Sequence, residues 1–278
     1  MTAVPIETLL RSFRRQVIAI RAVRVLLAVA FMAALIWASE LPPPGGRRVM
    51  FLLGMAGVVV WLWIILGAVR LTREVQAGNI LLATGQLDRA EQWLRQSLSR
   101  WTLSVQAKIM AVQQLASLAF RRDAHQDVVT ICRELLRHRL SGVRNLWIMV
   151  RLMLADSLLM LGRVAEAYEA MRPIYDVPLS MPDRMRLLPI QLRYELAADH
   201  PASAVSGLAE KVQIAELMDA ERAGLVHALL AEACRRTAME PERRYLTERA
   251  HLYCDLASLV ERYPMIAAVA KGEESAEC

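Results

Sequence analysis

The stretch ATGQLDRAEQWLRQSL at residues 83–98 decides the fold, because a second stretch, MLGRVAEAYEAMRPIY at residues 160–175, follows the same plan. Each stretch has a glycine at its third position, an apolar residue two positions later and an alanine five positions after the glycine. Gly85 and Gly162 permit a tight turn between two helices. Ala90 and Ala167 are small enough for the second helix of each pair to approach the first closely. The pattern predicts helix-turn-helix pairs that recur along the chain.

Further copies of this plan extend the prediction over most of the chain. Gly78 and Ala155 supply a small residue on the first helix of their pairs. Two weaker copies carry aspartate where the turn glycine stands, and they comprise Ala116, Asp123, Val128 and Cys132, then Leu192, Asp199, Ala204 and Leu208. A fifth pair, Ala223 to Arg236 and Arg243 to Tyr263, has the character of a degenerate or capping unit. The units begin near positions 71, 109, 148, 185 and 222.

These packing positions resemble the tetratricopeptide repeat, a helix-turn-helix unit of about 34 residues, although the period here is longer. The resemblance implies an α-solenoid whose first helices line a concave surface on which a peptide or helix can lie. It does not extend to the Lys/Asn/Arg carboxylate clamp of chaperone-binding members, so we do not expect binding of C-terminal chaperone peptides. In the approximate register of the repeats, the resemblance implies a partner-binding groove lined by Val75, Asn79, Leu82, Gln113, Phe120, Leu152, Asp156 and Arg193.

The composition after Leu71 is that of an all-α protein. Ala, Leu, Arg, Glu, Gln and Met dominate, apolar residues recur at intervals of three and four, and Gly and Pro occur only between helical segments. About 208 residues follow the N-terminal apolar region, which is enough for an array with a sizeable core.

Two apolar runs precede the repeats and predict a transmembrane hairpin. Val49 to Val69 holds 21 residues without a charge, which at about 1.5 Å per residue matches a hydrocarbon core of roughly 30 Å. Val25 to Ser39 holds 15, and Leu41 extends it if Arg21 and Arg24 direct their guanidinium groups to the headgroups. The spans are therefore placed at about 25–41 and 49–69. A signal peptide remains the alternative for the first run.

The chain must turn between the two runs, because Pro42-Pro43-Pro44-Gly45-Gly46 cannot continue a helix. Arginine excess predicts that both termini lie in the cytoplasm, and the protein is expected in a bacterial inner membrane. The formal charge of +6 comes from 31 Arg and three Lys, and much of the excess lies in the first 50 residues. We interpret it as membrane topology and contact with anionic lipid, since no motif for nucleic acid accompanies it.

The predicted organisation has four parts: a basic N-terminal segment at 1–24, the hairpin at 25–70, a repeat array of four to five units at 71–264 and a C-terminal tail at 265–278. Because no Pro or Gly occurs from Ala68 through Ala77, the second span is expected to continue as one helix into the first repeat. That continuity would attach the array rigidly to the membrane.

No residue pattern predicts catalysis, a cofactor or a metal. The sequence contains no Walker loop, no GxGxxG after a strand, no HExxH and no G-x-S-x-G elbow. The four cysteines have no CxxC spacing. His251 and Cys254 could share a helix face as zinc ligands, but no second ligand pair is recognisable.

Three function hypotheses follow. The first is a membrane-anchored scaffold or adaptor that binds other proteins at the cytoplasmic face, in the assembly of a membrane or envelope complex. The second is a structural subunit of a larger membrane complex, packed through small-residue faces such as Ala30/Ala34 and Gly54/Gly57. The third is an enzyme with an unrecognised helical site.

Overall fold

A computed structural model describes residues 6–39, 45–100, 104–138 and 144–270, except the side chains of 45–48, 68, 71 and 75. The described residues form helices and connecting turns without a strand, which confirms the all-α prediction. Along the chain, the helices are α1 Ile6–Ser39, α2 Gly45–Ala83, α3 Leu87–Ser99, α4 Val105–Arg121, α5 His125–Leu136, α6 Arg144–Met160, α7 Val164–Tyr175, α8 Met181–Ala197, α9 Pro201–Val205, α10 Leu208–Glu216, α11 Ala220–Arg236, α12 Glu240–Tyr253, α13 Leu256–Arg262 and α14 Ala267–Ala270, with a 3-10 turn at Pro264–Ile266 before the last.

The chain forms two compact units, Met1–Arg139 and Leu140–Cys278. The first unit holds α1 to α5 and the second holds α6 to α14. The predicted turn residues Pro42 to Pro44, the end of the first span at Leu41 and the tail from 271 to 278 lie outside the described residues.

Five turns recur at nearly regular spacing along the two units. Gly85 and Gly162 have φ of +75° and +71°, and each lies between two helices as the sequence predicts. Asp123, Asp199 and Ala238 adopt the same left-handed conformation, with φ of 54° to 57°, although each carries a Cβ that disfavours it. The intervals between successive turns are nearly equal, as expected of a repeated helix-turn-helix unit.

The predicted small residues lie where paired helices meet. Ala90, Ala167 and Ala204 are completely buried. A Cβ added to Gly78 on α2 would lie 3.3 Å from Leu94 Cδ2 on α3, closer than most side chains tolerate. Glycine at this position therefore permits the close approach of α2 and α3.

The fourth and fifth pairs depart from the regular plan. In the fourth pair, the second helix is interrupted at Gly207, which has φ of +65° and separates α9 from α10. In the fifth pair, the helix predicted to run to Tyr263 ends at Tyr253, and α13 follows as a separate helix from Leu256. Residues 265–270, assigned to a tail, contain Ile266 and Val269, both buried in the core of the second unit.

Helix α11 forms the centre of the second unit. Every residue from Ala223 to Cys234 is buried, because α8, α9, α10, α12, α13 and the C-terminal turns all contact this helix. The surrounding core is aliphatic and includes Leu192, Leu196, Leu229 and Leu246.

Helices α1 and α2 are long and apolar enough to span a membrane. Their most apolar 18-residue windows have mean hydropathy of 2.2 and 2.6, and only 11% and 0% of these windows are buried. Such exposure distinguishes them from the core helices of a soluble protein. Phe31 of α1 contacts α2 at Gly57, where an added Cβ would lie 3.4 Å from the Phe31 ring. Helix α2 continues without interruption from Gly45 to Ala83.

The N-terminal half of α1 packs on α4 and α5 instead of forming a separate basic segment. Leu10, Phe13, Val17 and Ile20 recur at intervals of three and four and are buried at 7% exposure or less. Helix α1 contacts α4 and α5 as well as α2. The residues assigned to a basic segment at 1–24 are therefore, from Ile6 onward, part of a 34-residue helix.

Candidate functional site: helix faces, a hollow and buried ions

The predicted groove residues of the first unit occupy different environments. Asn79 is exposed, Phe120 is half-buried with its ring centre 5.8 Å from that of His125, and the side chain of Val75 is outside the description. Leu82 and Gln113 are only 3% and 5% exposed. These residues do not form one continuous open surface.

The predicted groove residues of the second unit are mostly enclosed. Leu152 is 3% exposed and Arg193 is 3% exposed. Arg193 Nη1 donates a hydrogen bond to Asp156 Oδ1, and its guanidinium lies 4.7 Å from the centre of the Tyr263 ring. The structure thus brings Asp156 and Arg193 together as an ion pair covered by an aromatic ring from the C-terminal segment.

A hollow of about 550 Å³ lies in the first unit, apart from the predicted groove residues. Leu115, Leu118 and Ala119 of α4 form its apolar floor. Acidic and basic side chains line its rim, and the hollow opens beside Ile6 and Glu7, the first residues of α1. Its polar lining is supplied by Glu91, Arg95, Arg122, Gln126, Asp127 and Thr130. The floor is only 2 to 3% exposed, so the accessible surface of the hollow is mainly its charged and polar rim.

A buried lysine connects three helices of the same unit. Lys108 of α4 is completely buried, and its Nζ donates to Leu98 O and Arg100 O at 2.6 Å each and to Gln16 Oε1 of α1. Burial lowers the pKa of Lys108 to about 8. The lysine thereby satisfies carbonyl groups at the end of α3 and bonds that end to α1. Sequence reasoning missed it, although Lys is rare among the basic residues of this chain.

The second described lysine has the same role in the other unit. Lys211 Nζ donates to Ser203 O at 2.9 Å and to Ala204 O at 2.8 Å, at the end of α9. It also lies 3.7 Å from Glu195 Oε2. A compact ammonium reaches two neighbouring carbonyl oxygens more readily than a planar guanidinium does, which accounts for Lys at these two positions.

Tyrosines supply the aromatic surface of the second unit. The rings of Tyr168 on α7 and Tyr194 on α8 stack with their centres 5.4 Å apart. Tyr168 is 38% exposed and Tyr175 is 44% exposed. Partly exposed tyrosines are common in protein interfaces because they combine apolar area with a hydroxyl group.

Three cysteines, Cys132, Cys234 and Cys254, lie in the described part of the chain, where they pack against neighbouring side chains. Burial raises the pKa of Cys132 to about 12 and that of Cys234 to about 11, so neither thiol is a good nucleophile. Cys254 lies directly against Gly224 of α11, where an added Cβ would overlap its Sγ. Among the described residues, no three His, Cys, Asp or Glu side chains are arranged to hold a metal ion.

Comparison with protein-family models, curated proteins and solved structures finds no match. The resemblance to the tetratricopeptide repeat therefore rests on the turn and packing positions of this chain.

Proposed function

We propose that this chain is a membrane-anchored scaffold that resembles tetratricopeptide-repeat proteins and binds other proteins at the cytoplasmic face of a membrane. The observation that carries the proposal is the continuity of α2, whose exposed apolar stretch passes without a break into the helix that packs on α3 and α4. Confinement to a membrane raises the effective concentration of partners there without any new contact.

The hollow in the first unit is the docking surface we assign to a partner. Its rim residues are half-buried or exposed and carry both charges, so they suit a peptide or helix with charged side chains, whereas Leu82, Gln113, Leu152 and Arg193 are buried and offer little contact area. Binding of protein partners, and the absence of an enzymatic activity, are parts of this proposal.

Capture of partners by the full-length protein from detergent extract tests the scaffold function. Gln126 is an exposed residue in the lining of the hollow, so Gln126→Trp fills the hollow without disturbing the core. Gln213→Trp, at an exposed position on α10, is the matched control. We expect the first change to reduce capture several-fold and the second to leave it unchanged.

The alternative of a structural subunit is favoured by one face of α2. Nothing lies within 4 Å of a Cβ added to Gly54. This glycine therefore leaves an open surface in the apolar stretch, on which a helix of another protein could pack closely. Gly57, in contrast, already faces Phe31. If Gly54→Leu abolishes partner capture while Gln126→Trp does not, the chain is a subunit held by its helices.

The proposed orientation has a separate test. A reporter enzyme that is active only outside the cytoplasm should be silent when fused after Cys278 and active when inserted between Pro42 and Gly46. The reverse pattern would place both units outside the cytoplasm.

A further inference from the structure

We propose that Arg15 and Arg21 of α1 and Arg70 and Arg73 of α2, here called the arginine belt, bind the phosphate groups of anionic phospholipids. This inference rests on the proposed membrane anchoring and adds to it a defined lipid site. Its four side chains are exposed in the structure.

The belt residues lie at similar levels of the two helices. The contact between Phe31 and Gly57 fixes the register of α1 against α2. The N-terminal half of α1 and the C-terminal end of α2 both contact α4, through Gln16 and Leu82, so the two helices run in opposite directions. Arg15 precedes Phe31 by as many positions as Arg73 follows Gly57. Arg15 and Arg73 are therefore level with each other, about 24 Å along the helices from the contact.

The remaining belt residues lie between this level and the apolar stretch. Along its helix, Arg21 is roughly 15 Å from Phe31, and Arg70 is roughly 20 Å from Gly57. The hydrocarbon core extends roughly 15 Å from its midplane, and the headgroups occupy the next several ångströms. Gly57 lies near the middle of the uncharged run 49–69, so the Phe31–Gly57 contact is taken as the level of the midplane. Arg21 and Arg70 then lie within the headgroup layer, and Arg15 and Arg73 lie just outside it, from where their long side chains extend back to the phosphates.

The belt guanidinium groups lack a carboxylate partner within the described part of the chain. Glu74, which follows Arg73 in the chain, pairs with Arg100. Glu134 pairs with Arg14, which precedes Arg15, and with Arg137. In the second unit, arginines commonly pair with carboxylates, as Arg235 and Arg236 do with Glu232. Four positive charges in one layer repel one another unless anions lie among them.

Phosphate chemistry fits this arrangement. A guanidinium donates two parallel hydrogen bonds to phosphate oxygens, a geometry that an ammonium group cannot reproduce. A zwitterionic headgroup brings its own cation beside its phosphate, whereas an anionic headgroup such as phosphatidylglycerol does not. The belt should therefore prefer anionic over zwitterionic lipids.

The test counts lipids bound to the full-length protein. Purified protein in detergent is titrated with phosphatidylglycerol or phosphatidylcholine, and bound lipid is counted by native mass spectrometry. We expect the wild-type protein to prefer phosphatidylglycerol, and Arg15→Gln/Arg21→Gln and Arg70→Gln/Arg73→Gln each to lower that preference about fivefold or more. Changing the four residues to Lys should preserve part of the preference, because the charge remains while the two-point hydrogen bonding is lost.

The control is Arg172→Gln/Arg244→Gln, two exposed arginines of the second unit, which should leave the preference unchanged. A titration with inorganic phosphate alone separates a lipid site from a general anion site. Equal binding of the two lipids by the wild-type protein, an equal loss of preference in the control, or saturation of the belt by free phosphate would overturn the inference.

Membrane extraction separates this inference from the proposed function. If the protein resists extraction by alkaline carbonate but binds both lipids equally, the lipid site is wrong and the anchor stands. If carbonate releases the protein, the anchor itself is wrong.

Discussion

Arg14 and Glu134, far apart in the chain, are joined by two parallel hydrogen bonds. Arg14 Nε donates to Glu134 Oε1 at 3.0 Å, and Arg14 Nη2 donates to Glu134 Oε2 at 2.7 Å. Arg137 adds a third bond to the same carboxylate at 2.9 Å. The pair connects the N-terminal half of α1 to the end of α5, and beside it the ring of Phe13 meets the ring of His138 edge-on, with centres 5.2 Å apart.

Replacing Glu134 should make the first unit less stable in a pH-dependent manner. The hydrogen bonds from Arg14 hold the pKa of Glu134 below its usual 4.5, so its contribution is present above pH 4.5 and is lost as the pH falls through the folded-state pKa. Thermal unfolding in detergent should show a lower Tm for Glu134→Gln at pH 7. The difference from the wild-type protein should shrink below pH 4.5, and a difference that stays constant would contradict this role.

Gly162→Ala should lower the free energy of unfolding, whereas the reverse change at the corresponding turn, Ala238→Gly, should raise it. Gly162 has φ of +71° and open space around the position of a Cβ, so Gly162→Ala should cost about 1 kcal/mol through backbone strain alone. Ala238 has φ of 57°, so Ala238→Gly should relieve strain and raise stability by up to about 1 kcal/mol. Denaturant unfolding of the two variants measures both changes, and equal signs would refute the common turn conformation.

Gly224→Ala should destabilise the second unit by overpacking. The new methyl group would overlap Cys254 Sγ, at a cost of about 1 to 3 kcal/mol. Combining it with Cys254→Ala should recover most of that loss, because the obstructing sulfur is gone. Unfolding experiments on the two single variants and the double variant give the coupling energy. Full stability of Gly224→Ala alone would show that α11 and the end of α12 are not in contact.

Lys108→Met should destabilise the first unit more than Lys211→Met destabilises the second. Lys108 is completely buried, and its loss leaves the Leu98 and Arg100 carbonyl groups without their donor, a cost of about 2 to 4 kcal/mol. The side chain of Lys211 is 14% exposed, so water can replace part of its bonding. Hydrogen exchange at the ends of α3 and α9 measures the two effects locally, and equal effects would contradict the difference in burial.

Local features of the sequence were sufficient to predict the all-α class and the positions of the turns between paired helices. Glycine at 85 and 162 indicates a left-handed turn directly, and the matching spacing of Asp123 and Asp199 extended it to residues that adopt this conformation less readily. The interruption at Gly207 was missed, because the period alone gives no reason to break the second helix of a pair.

The tertiary contacts could not be predicted from the repeat pattern alone. Leu10, Phe13, Val17 and Ile20 form a helical stripe that could have been recognised, but their arginine-rich surroundings favoured a solvated segment. Leu152 and Arg193 were assigned to an open face by register. Their burial depends on the neighbouring helices and, for Arg193, on Tyr263 from far along the chain.

Helix α2 continues without a break beyond its apolar stretch, so a change in the tilt of that stretch moves the C-terminal end of the helix. Residues 70–83 extend roughly 20 Å beyond that stretch, so a change of about 10° in helix tilt displaces the Gly85 turn by roughly 3 to 4 Å. Arg121 Nη1 donates to Leu82 O at 2.7 Å, so α4 is bonded to the moving end. In the proposed membrane anchor, a change in bilayer thickness, or in the neighbours of α2, would therefore displace α3 and α4, which pack on the end of α2.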